Sequence, residues 1–164
     1  MQESNNKKRV LCLDRENSIR SQMAEAFIRF YGSDKFDVFS GGTEPQPIHP
    51  LTIQVMNEVG ISLDQQHSKT AQIFFGHSAF HFALMVSHPS ETNCPRLFPG
   101  ALRIERWPNQ NPLADQLAAE EQLTLFRSIR DRIQKQAQTW VQMQRDIETG
   151  IFSKKLIPVA TTQH

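Results

Sequence analysis

Cysteine is scarce in this sequence, which contains only Cys12 and Cys94 among its 164 residues. Two cysteines are too few for the disulfide framework of a small secreted domain, and their spacing matches no zinc motif. Cys12 lies inside the apolar run Val10-Leu11-Cys12-Leu13, where a small thiol usually packs as a buried strand residue. We therefore expect Cys12 to be a core residue and not a nucleophile.

Long hydrophobic runs and an excess of one charge are also missing. No apolar run approaches the roughly 18 residues of a membrane-spanning helix, and Met1 to Arg9 lacks the hydrophobic stretch of a secretory signal. The 18 basic and 17 acidic side chains give a net charge of +1, so no overall field attracts nucleic acid or an anionic membrane. We expect a cytoplasmic chain without nucleic-acid or membrane partners, in which any bound anion is held by local groups.

The length and the spread of turn residues favour one domain. A chain of 164 residues can bury about 70% of the surface that its unfolded form exposes, and its 7 glycines and 9 prolines are scattered along the sequence. Residues 1–148 are predicted to form this domain. Residues 149–164 show no clear period, so we leave them as an unassigned C-terminal tail.

Apolar periodicity predicts alternating strands and helices. Strands are expected where short apolar runs end in polar or turn residues, and helices where apolar residues recur every three or four positions, as in Met23, Phe27 and Phe30. The predicted strands are Val10 to Leu13, Phe36 to Ser40, Phe80 to Ser87 and Ala101 to Trp107; the later predicted helices are Leu51 to Val59 and Glu120 to Glu148. The order predicts an α/β fold, a three-layer αβα arrangement around a four-stranded, mainly parallel sheet, with ligands bound beyond the carboxyl ends of the strands.

The loop at the end of the first predicted strand carries the most specific pattern. It reads Asp14-Arg15-Glu16-Asn17-Ser18-Ile19-Arg20-Ser21 and continues as Gln22-Met23-Ala24-Glu25-Ala26. This stretch resembles the low-molecular-weight tyrosine phosphatase and arsenate reductase family, whose loop reads Cys, five residues, Arg, Ser. Further matches over roughly residues 9–140 are Ser40 to Pro45, Ile48 to Pro50, Met56 to Ile61, His67 to Lys69, Cys94-Pro95, Trp107-Pro108, and Phe126 to Asp131. The resemblance implies a phosphotyrosine protein phosphatase I-like fold.

The resemblance also implies a role for each loop position. In the family, backbone N–H groups at a helix N-terminus bind an oxyanion while an arginine holds it through two parallel hydrogen bonds. Arg20 matches that arginine. Asn17 and Ser18 match positions that brace the loop, and Ser21 matches the serine that hydrogen-bonds the nucleophile. The resemblance therefore implies an oxyanion-binding loop that spans Arg15 to Ser21 and includes Ile19.

The sequence departs from the family pattern at the nucleophile. Counting back from Arg20, the family cysteine belongs at Asp14, and a family glycine belongs at Glu16. Like charges 4 Å apart at an effective dielectric of 20 repel by about 4 kcal/mol, so two carboxylates oppose a phosphate dianion strongly. We expect these carboxylates to pair with Arg20 or Arg15, which gives the loop an internal anion in place of a substrate.

The other catalytic positions of the family are degenerate as well. Asn111, before Pro112, stands where the phosphatases carry a general-acid aspartate, and an amide cannot donate a proton in that sense. Asp115 lies nearby but outside the pattern. The arsenate reductases that couple to thioredoxin use three cysteines, and the two resolving positions here are Ser87 and Cys94, so that relay is incomplete.

Two weaker patterns offer alternatives. His77 and His81 are four residues apart, as in helical metal-binding pairs, but Phe80 and Phe82 favour entry into a strand. Asp14 and Glu16 after an apolar strand also superficially resemble the start of haloacid dehalogenase-type phosphatases, where carboxylates attack phosphorus and bind magnesium.

The sequence therefore leaves two classes of function open. The preferred interpretation is a catalytically inactive family member that needs no metal or cofactor and acts by binding or regulation. Its expected partner is a weakly bound oxyanion or phosphorylated ligand, or an unidentified protein. The alternative is an active phosphatase or arsenate reductase of this family, including one that uses Asp14 with a metal.

Overall fold

A computed structural model describes residues 6–77 and 79–151 of the chain. Every predicted strand and helix is present, and three of the strands are longer than their apolar runs indicated. In chain order the elements are β1 (Lys8–Asp14), α1 (Arg20–Gly32), β2 (Phe36–Gly42), α2 (Pro50–Glu58), a 3₁₀-helix (Ala71–Phe74), β3 (Phe80–Ser87), β4 (Ala101–Asn109) and α3 (Ala119–Glu148). No helix within the described ranges combines the length and apolarity that a membrane crossing needs.

The four strands form one sheet in the order β2-β1-β3-β4, and all neighbouring pairs are parallel. This confirms the predicted α/β fold with a four-stranded sheet. β1 and β3 are central, while β2 and β4 form the two edges. Because the strands are parallel, their carboxyl ends lie at the same end of the sheet. There Asp14 pairs in register with Gly42, and Ser87 with Asn109.

The larger apolar core lies between one face of the sheet and the three α-helices. Phe27 of α1 and Phe126 of α3 are fully buried there, and each such side chain stabilises the fold by about 1.5–3 kcal/mol relative to an exposed one. Two residues of the predicted apolar stripes lie outside this core. Phe30 and Ile147 are 66% and 50% exposed, because both lie near the carboxyl ends of their helices, beyond the packed faces.

The second face of the sheet has a smaller core without an α-helix among the described residues. The side chains of Leu11 and Leu13, which alternate with Cys12 along β1, pack there against Phe74 of the 3₁₀-helix and Phe98. The layer on this face is therefore the 3₁₀-helix together with the segment that joins β3 to β4, the β3–β4 segment (residues 88–100).

The division into a domain of residues 1–148 and a tail of residues 149–164 stays a prediction. Helix α3 ends at Glu148, and Gly150 follows with a φ of 72°. Residues 152–164 of the predicted tail lie outside the described residues.

Candidate functional site

The loop that joins β1 to α1, the β1–α1 loop (residues 15–19), is braced by Asn17. This residue has a φ of 50°, a left-handed conformation that asparagine tolerates better than most residues. Its side-chain Nδ2 donates to Ser21 Oγ at 2.8 Å and to Ser40 Oγ at 2.9 Å, and its Oδ1 accepts from Lys69 N at 3.0 Å. One buried side chain thus ties the loop to α1, to β2 and to the chain that precedes the 3₁₀-helix.

Two further contacts fix the path of the β1–α1 loop. Ser18 Oγ donates to Pro47 O at 2.7 Å, and Ile19 is buried directly before the first turn of α1. Gly42, at the end of β2, allows close approach: a Cβ there would lie 2.6 Å from Arg15 O and 2.8 Å from Asn17 N. A side chain at position 42 would therefore push the loop away from β2.

Asp14 points its carboxylate into the cradle of backbone N–H groups that the loop forms. Oδ1 accepts from Asn17 N at 2.7 Å and Oδ2 accepts from Ser21 N at 2.9 Å, and the residue is only 3% exposed. The Ser21 hydroxyl accepts from Asn17 instead of contacting the residue at position 14. The carboxylate charge is met by one backbone N–H of the loop, at Asn17, and one of the first turn of α1, at Ser21, and not by an arginine.

Arg20 makes a different ion pair from the predicted one. Its guanidinium holds both carboxylate oxygens of Glu91: Nη1 contacts Oε1, Nη2 lies 2.9 Å from Oε2, and Nη1 also donates to Asn109 O at 2.8 Å. The prediction that Arg20 pairs with Asp14 or Glu16 is therefore wrong. Backbone N–H groups already satisfy Asp14, and Glu91 reaches Arg20 from the β3–β4 segment.

Arg15 also pairs outside the loop. Its Nε and Nη2 donate to Glu44 Oε2 at 2.9 and 2.8 Å, and this hydrogen bond raises the pKa of the guanidinium. The expected pairing of Arg15 with a loop carboxylate is therefore also wrong. Glu16 accepts a hydrogen bond from Gln46 N through its backbone carbonyl, and its φ is not positive, so the backbone there does not demand glycine.

These side chains line a cavity of about 170 Å³ at the carboxyl edge of the sheet. Its walls carry two arginines and two glutamates, while Asp14 lies nearby as the last residue of β1. The sum of these five formal charges is −1, which disfavours a dianion unless a carboxylate moves away or is protonated. The lining residues are Arg15, Glu16, Arg20, Glu91, Thr92 and Asn111.

Asn111 lies at the rim of this cavity, as its place in the family pattern implies. Its Oδ1 accepts from Leu113 N at 3.0 Å, which is a local turn contact. Asp115 is exposed and borders a neighbouring depression, which shares Glu91 and Asn111 with this cavity. Of these two candidates for the general-acid position, only Asn111 lines the cavity that contains Arg20.

The three positions at which a reductase of this family would need cysteines hold one thiol, at Cys94. Ser87 ends β3, is 5% exposed, and its Oγ has no hydrogen-bond partner among the described residues. Cys94 lies half-buried in the β3–β4 segment, with Sγ 3.9 Å from Pro89 O. The hydroxyl of Ser87 cannot form the disulfide that a reductase relay needs.

The second thiol, Cys12, is confirmed as a core residue. It is 0% exposed in the middle of β1, and burial, followed by the charge of Glu25, raises its pKa well above the usual value. A thiol in this state is a poor nucleophile. His77 and His81 do not share a helix face: His77 follows the 3₁₀-helix in a turn, while His81 lies in β3 and accepts from Arg9 N at 3.0 Å.

The network around Glu91 was missed by sequence reasoning. Glu91 lies 71 positions from Arg20, and no motif marks it. The available signal was topological, since the β3–β4 segment starts at the edge of the sheet where β1 and its loop end. No cluster of three metal-ligating side chains occurs within the described ranges.

Comparison with known proteins places this site in a family. Residues 9–149 match the model of the low molecular weight phosphotyrosine protein phosphatases. An arsenate reductase of Shouchella clausii is 35% identical over 137 residues, 81% of this chain and 97% of that protein. An arsenate reductase of Halalkalibacterium halodurans is 31% identical, over 84% of this chain and 97% of that protein.

The solved structures agree with these sequence matches. An arsenate reductase in its phosphate-binding state superposes with a TM-score of 0.66 at 26% identity, over 83% of this chain and 98% of that one. Vibrio vulnificus Wzb in complex with benzylphosphonate has a TM-score of 0.62 at 15% identity. At that identity the second likeness concerns the fold alone.

Proposed function

Because the chain belongs to the low-molecular-weight phosphotyrosine protein phosphatase family, we propose that it is a member without thiolate catalysis, which acts by binding a ligand or a protein. The observation that carries this proposal is the carboxylate of Asp14. It stands at the family's nucleophile position and accepts hydrogen bonds from Asn17 N and Ser21 N. A carboxylate held in this way fills the cradle that a thiolate would use and repels an incoming phosphate.

The neighbouring positions support the same function. Asn111 has no acidic proton for the leaving oxygen, and Ser87 has no thiol for a redox relay. Cys12 is buried within the sheet and cannot replace the missing nucleophile. The proposed ligand is an oxyanion or phosphorylated molecule that binds weakly, or a protein partner that contacts the cavity, and the cytoplasmic location expected from the sequence is part of this proposal.

The second candidate is an active phosphatase or arsenate reductase. It is favoured by the comparisons, because relatives that match this chain over nearly their whole length carry the name arsenate reductase. Within this class, Asp14 is the available nucleophile, with or without a metal. Against it stands the geometry, since both carboxylate oxygens of Asp14 already accept short hydrogen bonds from backbone N–H groups and the residue is 3% exposed.

Turnover assays separate the two candidates. The purified protein is assayed with an aryl phosphate, with and without Mg²⁺, and with arsenate plus thioredoxin or glutaredoxin. We expect no turnover above that of the Asp14→Ala variant in either assay. Turnover that Asp14→Ala abolishes would establish an aspartyl enzyme, and turnover that Cys94→Ser or Cys12→Ser abolishes would establish thiol chemistry; either result overturns the proposal.

A further inference from the structure

The ion pair between Arg20 and Glu91 is shielded from water. The side chain of Arg20 is 7% exposed and that of Glu91 is 18% exposed, so solvent screens the pair much less than a surface pair. The two carboxylate oxygens of Glu91 take Nη1 and Nη2, and Asn109 O takes a second contact at Nη1. The Nη1 and Nη2 edge, one of the two edges through which a guanidinium grips an oxyanion with parallel N–H groups, is therefore already in use.

Glu91 belongs to a different part of the chain from the β1–α1 loop, beside which its side chain lies. It lies near the start of the β3–β4 segment, and two residues later Asn93 has a φ of 59°. The same segment is held independently at Asn93, because Thr43 Oγ1 lies 3.2 Å from Asn93 O and Asn93 Nδ2 donates to Glu44 Oε1 at 3.3 Å. The carboxylate of Glu91 can thus leave Arg20 through a rearrangement of residues 88–92, between the end of β3 at Ser87 and the anchored Asn93.

We propose that Glu91 is a tethered carboxylate ligand of Arg20, which keeps tetrahedral oxyanions out of the cavity until it is displaced. This inference rests on the proposed function only in taking the cavity as the ligand site. Any oxyanion that uses the Arg20 fork competes with an internal carboxylate at high effective concentration. The observed affinity of such an oxyanion equals its affinity for the open cavity multiplied by the fraction of molecules in which Glu91 is released.

Binding of inorganic phosphate and of sulfate tests the proposal, by calorimetry at constant ionic strength in the full chain. Glu91→Gln keeps the size of the side chain and removes its charge, and we expect it to raise the affinity for both anions by about tenfold to a hundredfold, the range that a charge-assisted hydrogen bond spans. Asp115→Asn is the matched control, because it removes the same charge from an exposed residue of the neighbouring depression, which Glu91 also lines. Adding Arg20→Gln to Glu91→Gln should abolish the gain.

The thiol of Cys94 gives a second measurement that does not depend on a large affinity change. Cys94 lies three residues after Glu91 and is half-buried, whereas Cys12 is fully buried and should not compete for a thiol reagent. In the parent chain, saturating phosphate should speed modification of Cys94, because release of Glu91 rearranges residues 88–92 and moves the Pro89 carbonyl that Cys94 Sγ contacts. In Glu91→Gln the modification should be fast already and insensitive to phosphate.

The outcomes separate this inference from the proposed function. Equal phosphate affinity in the parent chain and Glu91→Gln, with a cooperative melt showing that the variant is folded, overturns the tethered-ligand proposal. An equal gain from Asp115→Asn overturns it too, because the effect would then be general electrostatics. Neither result bears on turnover, and a parent chain that hydrolyses an aryl phosphate would overturn the proposed function while leaving the affinity comparison intact.

Discussion

Replacing Asp14 with cysteine would place a thiol where two backbone N–H groups converge. The donors are Asn17 N and Ser21 N, which lie 2.7 and 2.9 Å from the present carboxylate oxygens. Ser21 is in the first turn of α1, so its N–H also belongs to the positive end of the helix. These groups favour the thiolate over the neutral thiol and should lower the pKa of the introduced cysteine.

The size of this shift follows from the hydrogen bonds. A hydrogen bond to a charged group contributes about 1.5–3 kcal/mol, and sulfur, as a larger and weaker acceptor, should obtain about half of that from each donor. Two donors then give about 1.5–3 kcal/mol, or about one to two pKa units at 1.36 kcal/mol per unit. Burial opposes the shift, as it does at Cys12. We therefore expect a pKa near 6.5–7.5, below the ~8.5 of a free cysteine.

Far-ultraviolet thiolate absorbance and the rate of alkylation by iodoacetamide, both measured against pH, report this pKa. The parent chain supplies the background, because Cys12 and Cys94 are present in both proteins. A transition at or above ~8.5 in the Asp14→Cys variant, with the fold intact, would refute the reasoning. The N–H groups that now hold the carboxylate would then not form a cradle suited to an anion at that position.

Three further changes test other parts of the molecule. In the Asp14→Cys variant, adding Asn111→Asp should raise aryl phosphatase activity, measured as kcat/KM, by about a hundredfold or more, the usual contribution of a general acid. No gain would mean that another group protonates the leaving oxygen. Gly42→Ala should lower the free energy of unfolding by about 1–3 kcal/mol, because its Cβ would lie 2.6 Å from Arg15 O; urea denaturation checks this, and an unchanged midpoint would contradict the close approach. Arg145 lowers the pKa of Asp34 from 3.8 to about 2, so this pair stabilises the fold above pH 3.8 and its contribution is lost as the pH falls toward 2. Asp34→Asn should therefore cost at most about 1 kcal/mol at pH 7, because the pair is solvent-exposed, and the difference should vanish in acid; a constant difference across the acid range would indicate another cause.

Local patterns predicted most of the fold because the elements carry unambiguous signals. β3 was predicted with its observed bounds, since its apolar run is framed by turn residues. The end of α2 was predicted within one residue, at Val59 instead of Glu58, and Gly60 beyond it has a φ of 79°. The burial of Cys12 also followed from its neighbours. The 3₁₀-helix was missed, because four residues show no measurable period.

The site was harder to predict because its ion pairs are not local. Sequence reasoning placed Arg20 in the cavity but assigned its charge to the nearest carboxylates in the chain. Hydrogen bonds from backbone N–H groups satisfy Asp14 instead, and no residue pattern reports where a backbone amide points. Glu91 then becomes the partner through the topology of the sheet, which brings the β3–β4 segment to the end of β1.

The position of β4 at the edge of the sheet has a consequence for self-association. An edge strand with unpaired backbone groups can recruit a strand of another molecule and so start aggregation. β4 carries three charged residues, Arg103, Glu105 and Arg106, and Pro108 near its end has no N–H to donate. Two like-charged β4 strands brought side by side would place arginines near one another, and the proline would interrupt the ladder. These features disfavour pairing of β4 with a strand of another molecule. Leu102, which is 80% exposed, is the position at which β4 presents apolar surface to such a strand.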